Sequence, residues 1–139
     1  MPLPAEYQRA TDHFSAFLTD LSDAAGFLSR HPAYTMAQGV LQVFRRRLPL
    51  RDAIRFAQLL PVGLRALFVA DWNVDEPQRP WADRAALADE VRSLRFNHNF
   101  APDDAVQLTA RVLRQHVDGA ALDALLRELG PEACAFWAP

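Results

Sequence analysis

The spacing of the apolar residues constrains this chain most, because it follows the period of an α-helix along almost the whole length. From Tyr7 to Leu28, and again from Met36 to Leu48, apolar residues recur at steps of three and four, which places them on one helix face. No stretch alternates apolar and polar residues as a half-buried strand does. Half of the 139 residues are hydrophobic and only 5 are glycine. The chain is therefore predicted to be all-α.

Prolines and aspartates mark the predicted helix ends. His31-Pro32 is expected to end the first helix, since the residue before a proline is pushed out of the α region. Pro49 marks the next boundary, and Pro61, which lacks a backbone N–H, predicts a break between two short helices. In the second half, helices are expected to begin at Asp83, Pro102, Asp118 and Pro131. A polar connection at 97–101 precedes the helix at Pro102. These boundaries predict seven or eight helices.

The pattern recurs at a shift of 69 residues. Val43, Arg45, Leu60 and Ala66 fall on the identical residues Val112, Arg114, Leu129 and Ala135. The apolar face from Ala53 to Phe68 falls on another apolar face from Leu122 to Trp137, and Pro61 falls on Gly130. We therefore expect two pseudo-repeated helical half-bundles, residues 1–72 and 83–139, folded as one compact unit because each half alone is marginal in size. The acidic, proline-containing segment 73–82 is the predicted linker.

Charge is distributed unevenly along the chain. The 15 basic residues, all of them arginine, face 17 acidic ones, and the resulting net charge of −2 excludes a polycation built for nucleic acid. Residues 45–65 nevertheless carry a net charge of +5, and the rest of the chain carries −7. The six arginines of this segment are candidate binding residues for an acidic protein partner, a phosphate group or a nucleic acid: Arg45, Arg46, Arg47, Arg51, Arg55 and Arg65. The alternative is that Arg45 to Arg47 close a helix C-terminus and pair with acids of the other half.

Trp72 and Trp81 flank the predicted linker and are the other two candidate binding residues. They form either an exposed aromatic surface for a partner or an aromatic clamp that packs the linker onto the core.

No motif for catalysis or metal binding is visible. None of the histidines (His13, His31, His98 and His116) has a second ligand at a metal-binding spacing, so neither a metal nor a cofactor is expected. There is no nucleophile-elbow or phosphate-binding glycine pattern. The sequence thus favours a non-enzymatic protein, although an active site assembled from dispersed residues stays open.

The sequence also favours a cytoplasmic protein. The segment Met1 to Gln8 lacks the basic and apolar regions of a signal peptide. No apolar run approaches the roughly 20 residues that span a bilayer. The single cysteine, Cys134, has no partner for an intramolecular disulfide.

The run from Leu41 to Trp72 resembles the bacterial family known as domain of unknown function 2267. Members show an arginine-rich turn with Leu-Pro, an acidic-apolar helix, a second Leu-Pro, an arginine, a bulky apolar pair and a tryptophan. The matching elements are Arg45–Pro49, Asp52–Gln58, Leu60-Pro61, Arg65, Leu67-Phe68 and Trp72. The stretch 110–137 is similar to the family's second half. The chain departs at Asp71, where the family has glycine, and at Gly130, which separates Leu129 from Pro131. The resemblance implies an all-helical fold, and the family has no established activity to carry over.

These observations predict a protein-interaction or regulatory module whose contact face is the arginine cluster. Nucleic-acid or anionic-ligand binding through the same arginines is the alternative, and a small-molecule or lipid pocket between the halves is a third class. Changing Arg45, Arg46 and Arg47 together to alanine is expected to abolish partner binding without lowering the melting temperature. A large loss of stability would instead indicate a structural role for these arginines.

Overall fold

A computed structural model of the chain describes residues 2–94 and 101–139. These residues form nine α-helices and no strand: α1 (Ala5–Gln8), α2 (Ala10–Ala25), α3 (Arg30–Arg45), α4 (Leu50–Ala57), α5 (Val62–Val69), α6 (Arg84–Ser93), α7 (Ala105–Arg114), α8 (Gly119–Leu129) and α9 (Pro131–Phe136). The all-α prediction is confirmed, but the predicted number of seven or eight helices is wrong, because the described residues alone contain nine. Within these residues, none of the helices combines the length and apolar character needed to cross a membrane.

The first predicted helix differs from the observed one. A turn at Arg9 separates α1 from α2, and α2 ends where Gly26 adopts a left-handed conformation with φ 72°. The prediction that His31-Pro32 ends this helix is therefore wrong. Pro32 lies in the first turn of α3, where a missing N–H costs no hydrogen bond. As a result Tyr7 and Leu28, predicted on the apolar face, are exposed.

Three further prolines named in the sequence analysis lie at helix starts. Pro49 and Pro61 directly precede α4 and α5, so the predicted break at Pro61 is confirmed. Pro131 is the first residue of α9. Pro102 does not open a helix, because it lies in a turn in which its carbonyl accepts from the N–H of Ala105, the first residue of α7. Of the predicted polar connection 97–101, only the last residue falls in the part that the structure describes.

Aspartates cap two helices of the second half, as expected. The carboxylate of Asp83 accepts from the N–H of Ala86 at 2.8 Å, and that of Asp118 accepts from the N–H of Ala121 at 3.1 Å. Each bond satisfies one of the N–H groups that a helix N-terminus leaves without an internal partner.

A single hydrophobic cluster contains residues of both halves. Helix α3 packs against α2 and α5 of the first half and against α6 and α7 of the second. The ring of Phe44 on α3 lies 5.0 Å from that of Phe136 and 5.3 Å from that of Trp137. Phe136 and Trp137 are thus buried against the C-terminal end of α3.

Helix boundaries recur along the chain with a spacing of 69 residues. The matched boundaries are the ends of α3 and α7 (Arg45 and Arg114), the starts of α4 and α8 (Leu50 and Gly119), and the starts of α5 and α9 (Val62 and Pro131). Both apolar faces singled out in the sequence, from Ala53 to Phe68 and from Leu122 to Trp137, consist of buried residues apart from a partly buried Leu129.

Candidate functional site

The predicted linker lies against the C-terminal end of α3. The N–H of Arg79 donates to the carbonyl of Arg46 at 2.9 Å, and Nε2 of Gln78 donates to the carbonyl of Arg47 at 2.8 Å. Carbonyls at a helix C-terminus have no donor within the helix, so these two bonds satisfy groups that would otherwise need water. The linker is thereby held over the arginines at the end of α3.

A buried ion pair joins this end of α3 to α6. Nη1 and Nη2 of Arg47 donate to the two carboxylate oxygens of Glu90 at 2.5 and 2.7 Å, and the Arg47 side chain is only 4% exposed. Arg46 and Arg79 approach the same carboxylate at 3.4 and 3.6 Å. Burial opposes ionisation of Glu90, but the hydrogen bonds and charges of these arginines outweigh it and hold the pKa of Glu90 below its usual value.

Glu76 of the linker joins the same group of charges. Its carboxylate lies 3.0 Å from Arg79 and 3.6 Å from Arg46. We call Arg46, Arg47, Arg79, Glu76 and Glu90 the arginine network. It ties α3, the linker and α6 together, so of Arg45, Arg46 and Arg47, the last two pair with an acid of the other half.

Arg45 is buried but differs from its neighbours in its partners. Its Nη1 donates to the carbonyls of Phe68 at 2.7 Å and Ala70 at 3.0 Å, and its guanidinium carbon lies 5.1 Å from the centre of the Trp72 ring. No carboxylate of the described chain lies within 4 Å of it. Burial, with the charge of Arg46, lowers the pKa of Arg45, and the more distant charges of Glu76 and Asp71 offset this in part.

A small cavity lies beside Arg45, between the end of α3, the start of α4 and the linker. Its volume is about 210 Å³, and we call it the arginine pocket. The lining residues used below are Arg45, Arg46, Leu50, Trp72, Val74, Glu76 and Gln78. Three of the eight predicted site residues therefore meet in this pocket, and Arg47 lies next to it in the arginine network.

The remaining three arginines lie elsewhere. Arg51 is exposed and makes no ion pair with the residues that the structure describes. Arg55 pairs with Asp52 of its own helix at 3.5 Å and contacts Glu128 of α8. Arg65 donates to the carbonyl of Ala57, the last residue of α4, at 3.2 Å and to that of Leu60 in the following turn at 3.1 Å, and so bridges the break between α4 and α5. The six arginines do not form one continuous surface.

Trp81 packs on the core rather than in the arginine pocket. Its ring lies 5.9 Å from that of Phe44 and 6.3 Å from that of Phe136. It also borders a separate apolar cavity of about 320 Å³, together with Leu87 and Val106. This placement agrees with the clamp interpretation of the two tryptophans.

The turn before Trp72 explains one departure from the family pattern. Asp71 adopts a left-handed conformation with φ 54°, which glycine occupies without steric cost and aspartate tolerates better than most residues. A glycine is expected at such a position for this reason. The turn brings the Trp72 ring beneath the guanidinium of Arg45.

Sequence reasoning did not single out Glu76, Gln78 and Glu90. A helical projection contains a signal for one of them, because Glu90 follows the buried Leu87 by three residues on α6. The same projection places Arg45 four residues after the buried Leu41. Charged residues in phase with a buried helix face are candidates for an internal ion pair.

No group of three or more potential metal ligands occurs within residues 2–94 and 101–139. Of the four histidines, His116 lies 2.7 Å from the carboxylate of Asp20 and packs edge-on against Phe17, while His98 is outside the described residues. Cys134 is a free, partly buried thiol.

Comparison with known proteins agrees with the family resemblance. No curated protein matches the chain. The family model described as "Uncharacterized conserved protein (DUF2267)" matches residues 14–136, which is nearly the whole chain and includes α3, the linker and the arginine network. The chain therefore belongs to the DUF2267 family of uncharacterized conserved proteins.

Proposed function

We propose that this protein is a non-enzymatic interaction module that binds an acidic protein partner. Its contact surface consists of Leu50, Arg51 and Ile54 on α4 and Val74 in the linker, and we call these four residues the docking surface. Leu50 and Val74 line the arginine pocket, while Arg51 and Ile54 lie further along α4.

The observation that carries this proposal is the exposure of three large apolar side chains in one region. Leu50, Ile54 and Val74 are 52%, 48% and 63% exposed. Leu50 and Val74 line the same pocket, and Ile54 lies one helical turn from Leu50. Adjacent exposed apolar side chains are typical of protein interaction sites, where arginine is also enriched.

The charge of this region favours an acidic partner. Arg51 has no ion-pair partner in the part of the chain that the structure describes, and the segment 45–65 carries a net +5. Opposite charges steer a partner toward such a surface and fix its orientation.

The burial of Arg45 and Arg47 changes one expectation from the sequence. Both side chains hold the fold through the bonds described above, so changing Arg45, Arg46 and Arg47 together to alanine is expected to lower the melting temperature. Tests of partner binding therefore belong on the docking surface, whose side chains are exposed.

Nucleic-acid binding is the less favoured alternative. Arg46, Arg47 and Arg55 each have a glutamate partner, which leaves few free guanidinium groups for phosphates. Neutralising phosphates releases counterions, so this alternative requires an affinity for duplex DNA that falls steeply with salt.

We further propose that the chain arose by duplication of a helical half. The 69-residue spacing of three helix boundaries supports this. So does a matched pair of hydrogen bonds, because Arg45 donates to the carbonyl of Phe68 and Arg114 donates to that of Trp137, each 69 residues further on. Unrelated halves have no reason to match both in position and in bonding.

A cytoplasmic location is also a proposal, supported by the single cysteine. Proteins of oxidising compartments commonly contain paired cysteines, and Cys134 is free.

Affinity capture with matched variants tests the interaction proposal. The docking variant carries Leu50→Ser, Ile54→Ser and Val74→Ser, and the control variant carries Leu3→Ser and Leu28→Ser, which remove exposed apolar side chains elsewhere. The partner that wild type captures is identified and purified. Its affinity is then measured for wild type, the docking variant and the control variant. We expect an acidic partner whose affinity falls at least tenfold for the docking variant and less than twofold for the control.

Two results would contradict the proposal. In one, both variants bind the purified partner equally well. In the other, wild type binds duplex DNA with a steep dependence on salt and captures no protein that the docking variant loses.

A further inference from the structure

Arg45 is a buried cation without a carboxylate partner. The residue is 5% exposed, and two backbone carbonyls and a tryptophan ring are its observed polar and cation–π contacts. Its Nε is buried and has no hydrogen-bond partner. A buried charge is costly unless it is paired, so Arg45 is an unusual feature of this fold.

The corresponding arginine of the second half has the partner that Arg45 lacks. Arg114 donates from Nε to the carbonyl of Trp137 at 3.0 Å and from Nη2 to the carboxylate of Asp123 at 2.9 Å. The residue 69 positions before Asp123 is Ile54, which is uncharged and exposed. The protein's own carboxylate therefore completes the bonding of Arg114, and the chain supplies none at the equivalent position for Arg45.

The charged groups around the pocket have a net positive charge, which favours an anion. The arginine network contains three guanidinium groups and two carboxylates, and Arg45 adds a fourth guanidinium. Asp71, whose charge also acts on Arg45, supplies a third carboxylate. The group thus retains an excess of one positive charge beside the arginine pocket.

The size and walls of the pocket limit what can enter it. A volume of about 210 Å³ is below the range of typical pockets for drug-sized ligands, about 300–1,000 Å³, and suits a single side chain. Arg45 and Arg46 provide positive charge, and Glu76, which pairs with Arg46 at 3.6 Å, provides one negative charge. Gln78 adds a polar group and Trp72 an aromatic surface. Leu50 and Val74 at its edge are exposed and continue into the docking surface.

We propose that the arginine pocket binds the carboxylate side chain of an acidic residue in the partner protein, while apolar residues next to it in the partner sequence contact Leu50 and Val74. This inference rests on the proposed function and names the residue type that the partner inserts. The carboxylate occupies the role beside Arg45 that Asp123 has beside Arg114.

Binding of capped peptides tests this proposal on the whole, unmodified protein. The probes are acetyl-Leu-Glu-Leu-amide, its matched neutral form acetyl-Leu-Gln-Leu-amide, and free glutarate. The readout is the NMR shift of the indole N–H of Trp72, with that of Trp81 as an internal control. We expect saturable shifts of Trp72 with the glutamate peptide, at least tenfold weaker binding of the glutamine peptide and of glutarate, and little change at Trp81.

Two single variants locate the carboxylate. Arg46→Gln removes a charge that lines the pocket, and Arg111→Gln removes an exposed arginine on α7 as the matched control. We expect Arg46→Gln to weaken the glutamate peptide at least fivefold and Arg111→Gln to change its affinity less than twofold. If Arg46→Gln does not fold, the comparison of glutamate and glutamine peptides on wild type still decides the question.

Several outcomes would overturn the inference. Equal affinity for the glutamate and glutamine peptides excludes a carboxylate site. Glutarate binding as tightly as the glutamate peptide indicates a site for small free acids rather than for a partner side chain. Loss of peptide binding only in the docking variant, with no effect of Arg46→Gln, leaves the proposed function standing and removes the pocket from it.

Discussion

At the scale of single residues, the Arg47–Glu90 pair has the most direct consequence for stability. Both side chains are largely buried, and they meet through two short hydrogen bonds. Glu90→Gln leaves the guanidinium of Arg47 without a counter-charge, and breaking a buried pair in this way costs about 3 kcal/mol. We expect a loss of this order in the free energy of unfolding at pH 7, measured by urea denaturation.

The same variant has a defined pH dependence. Because the pKa of Glu90 is lowered in the folded state, its ionised form contributes stability above the unfolded pKa of about 4.3, and this contribution is lost as the pH falls through the lower folded value. The difference between wild type and Glu90→Gln should therefore be constant from pH 7 to about pH 5 and shrink below about pH 4. Asp89→Asn, on the neighbouring exposed residue, is the control, with an expected loss below about 1 kcal/mol. A difference that grows on acidification would contradict this account.

Single arginines also show the limit of what sequence can predict. The positive segment 45–65 is visible in the sequence, but the partner that determines the position of Arg47 lies 43 residues away on another helix. Pairing across that distance depends on how α3 packs against α6. The helical phase of Arg45, four residues after the buried Leu41, is that of a buried face. It does not predict that Arg47, beyond the end of α3, meets a carboxylate and that Arg45 does not.

At the scale of helices, two capping aspartates should determine how firmly α6 and α8 begin. Asp83 and Asp118 each accept a hydrogen bond from a first-turn N–H, whereas Asp104 precedes α7 without such a bond. Asp83→Ala and Asp118→Ala are each expected to lower the free energy of unfolding by about 1 kcal/mol. Asp104→Ala is the matched control, with an expected loss of a few tenths of a kcal/mol from the helix dipole alone.

Chemical denaturation of the three variants checks this expectation. Equal losses for all three would show that the aspartates act through charge near the helix N-terminus and not through the observed hydrogen bonds.

The starts of the helices are the part of the fold that the sequence predicts best. Starts at Asp83, Asp118 and Pro131 were predicted because caps and first-turn prolines act locally. The end of α2 was misassigned for a physical reason. A proline is compatible with both the end of one helix and the first turn of the next, so Pro32 alone could not distinguish them, while Gly26 provides the observed end.

At the scale of the whole molecule, α3 makes the two halves depend on each other. It packs against helices from both halves, and Phe44 and Phe56 form a ring cluster with Phe136 and Trp137. The periodicity of the sequence predicts which face of each helix is buried. It does not predict that the last buried residues of the chain pack beside α3 and α4 of the first half, because that contact depends on tertiary arrangement.

This arrangement implies that neither half is stable alone. A fragment of residues 83–139 loses the aromatic partners of Phe136 and Trp137, and chains of about 60 residues are already marginal in the core they can bury. We expect fragments 1–82 and 83–139 to lack cooperative thermal unfolding by circular dichroism when measured separately, and an equimolar mixture to regain helical signal and a cooperative transition. A cooperative transition of 83–139 by itself would mean that its own contacts suffice, and that α3 is not the element on which the stability of the second half depends.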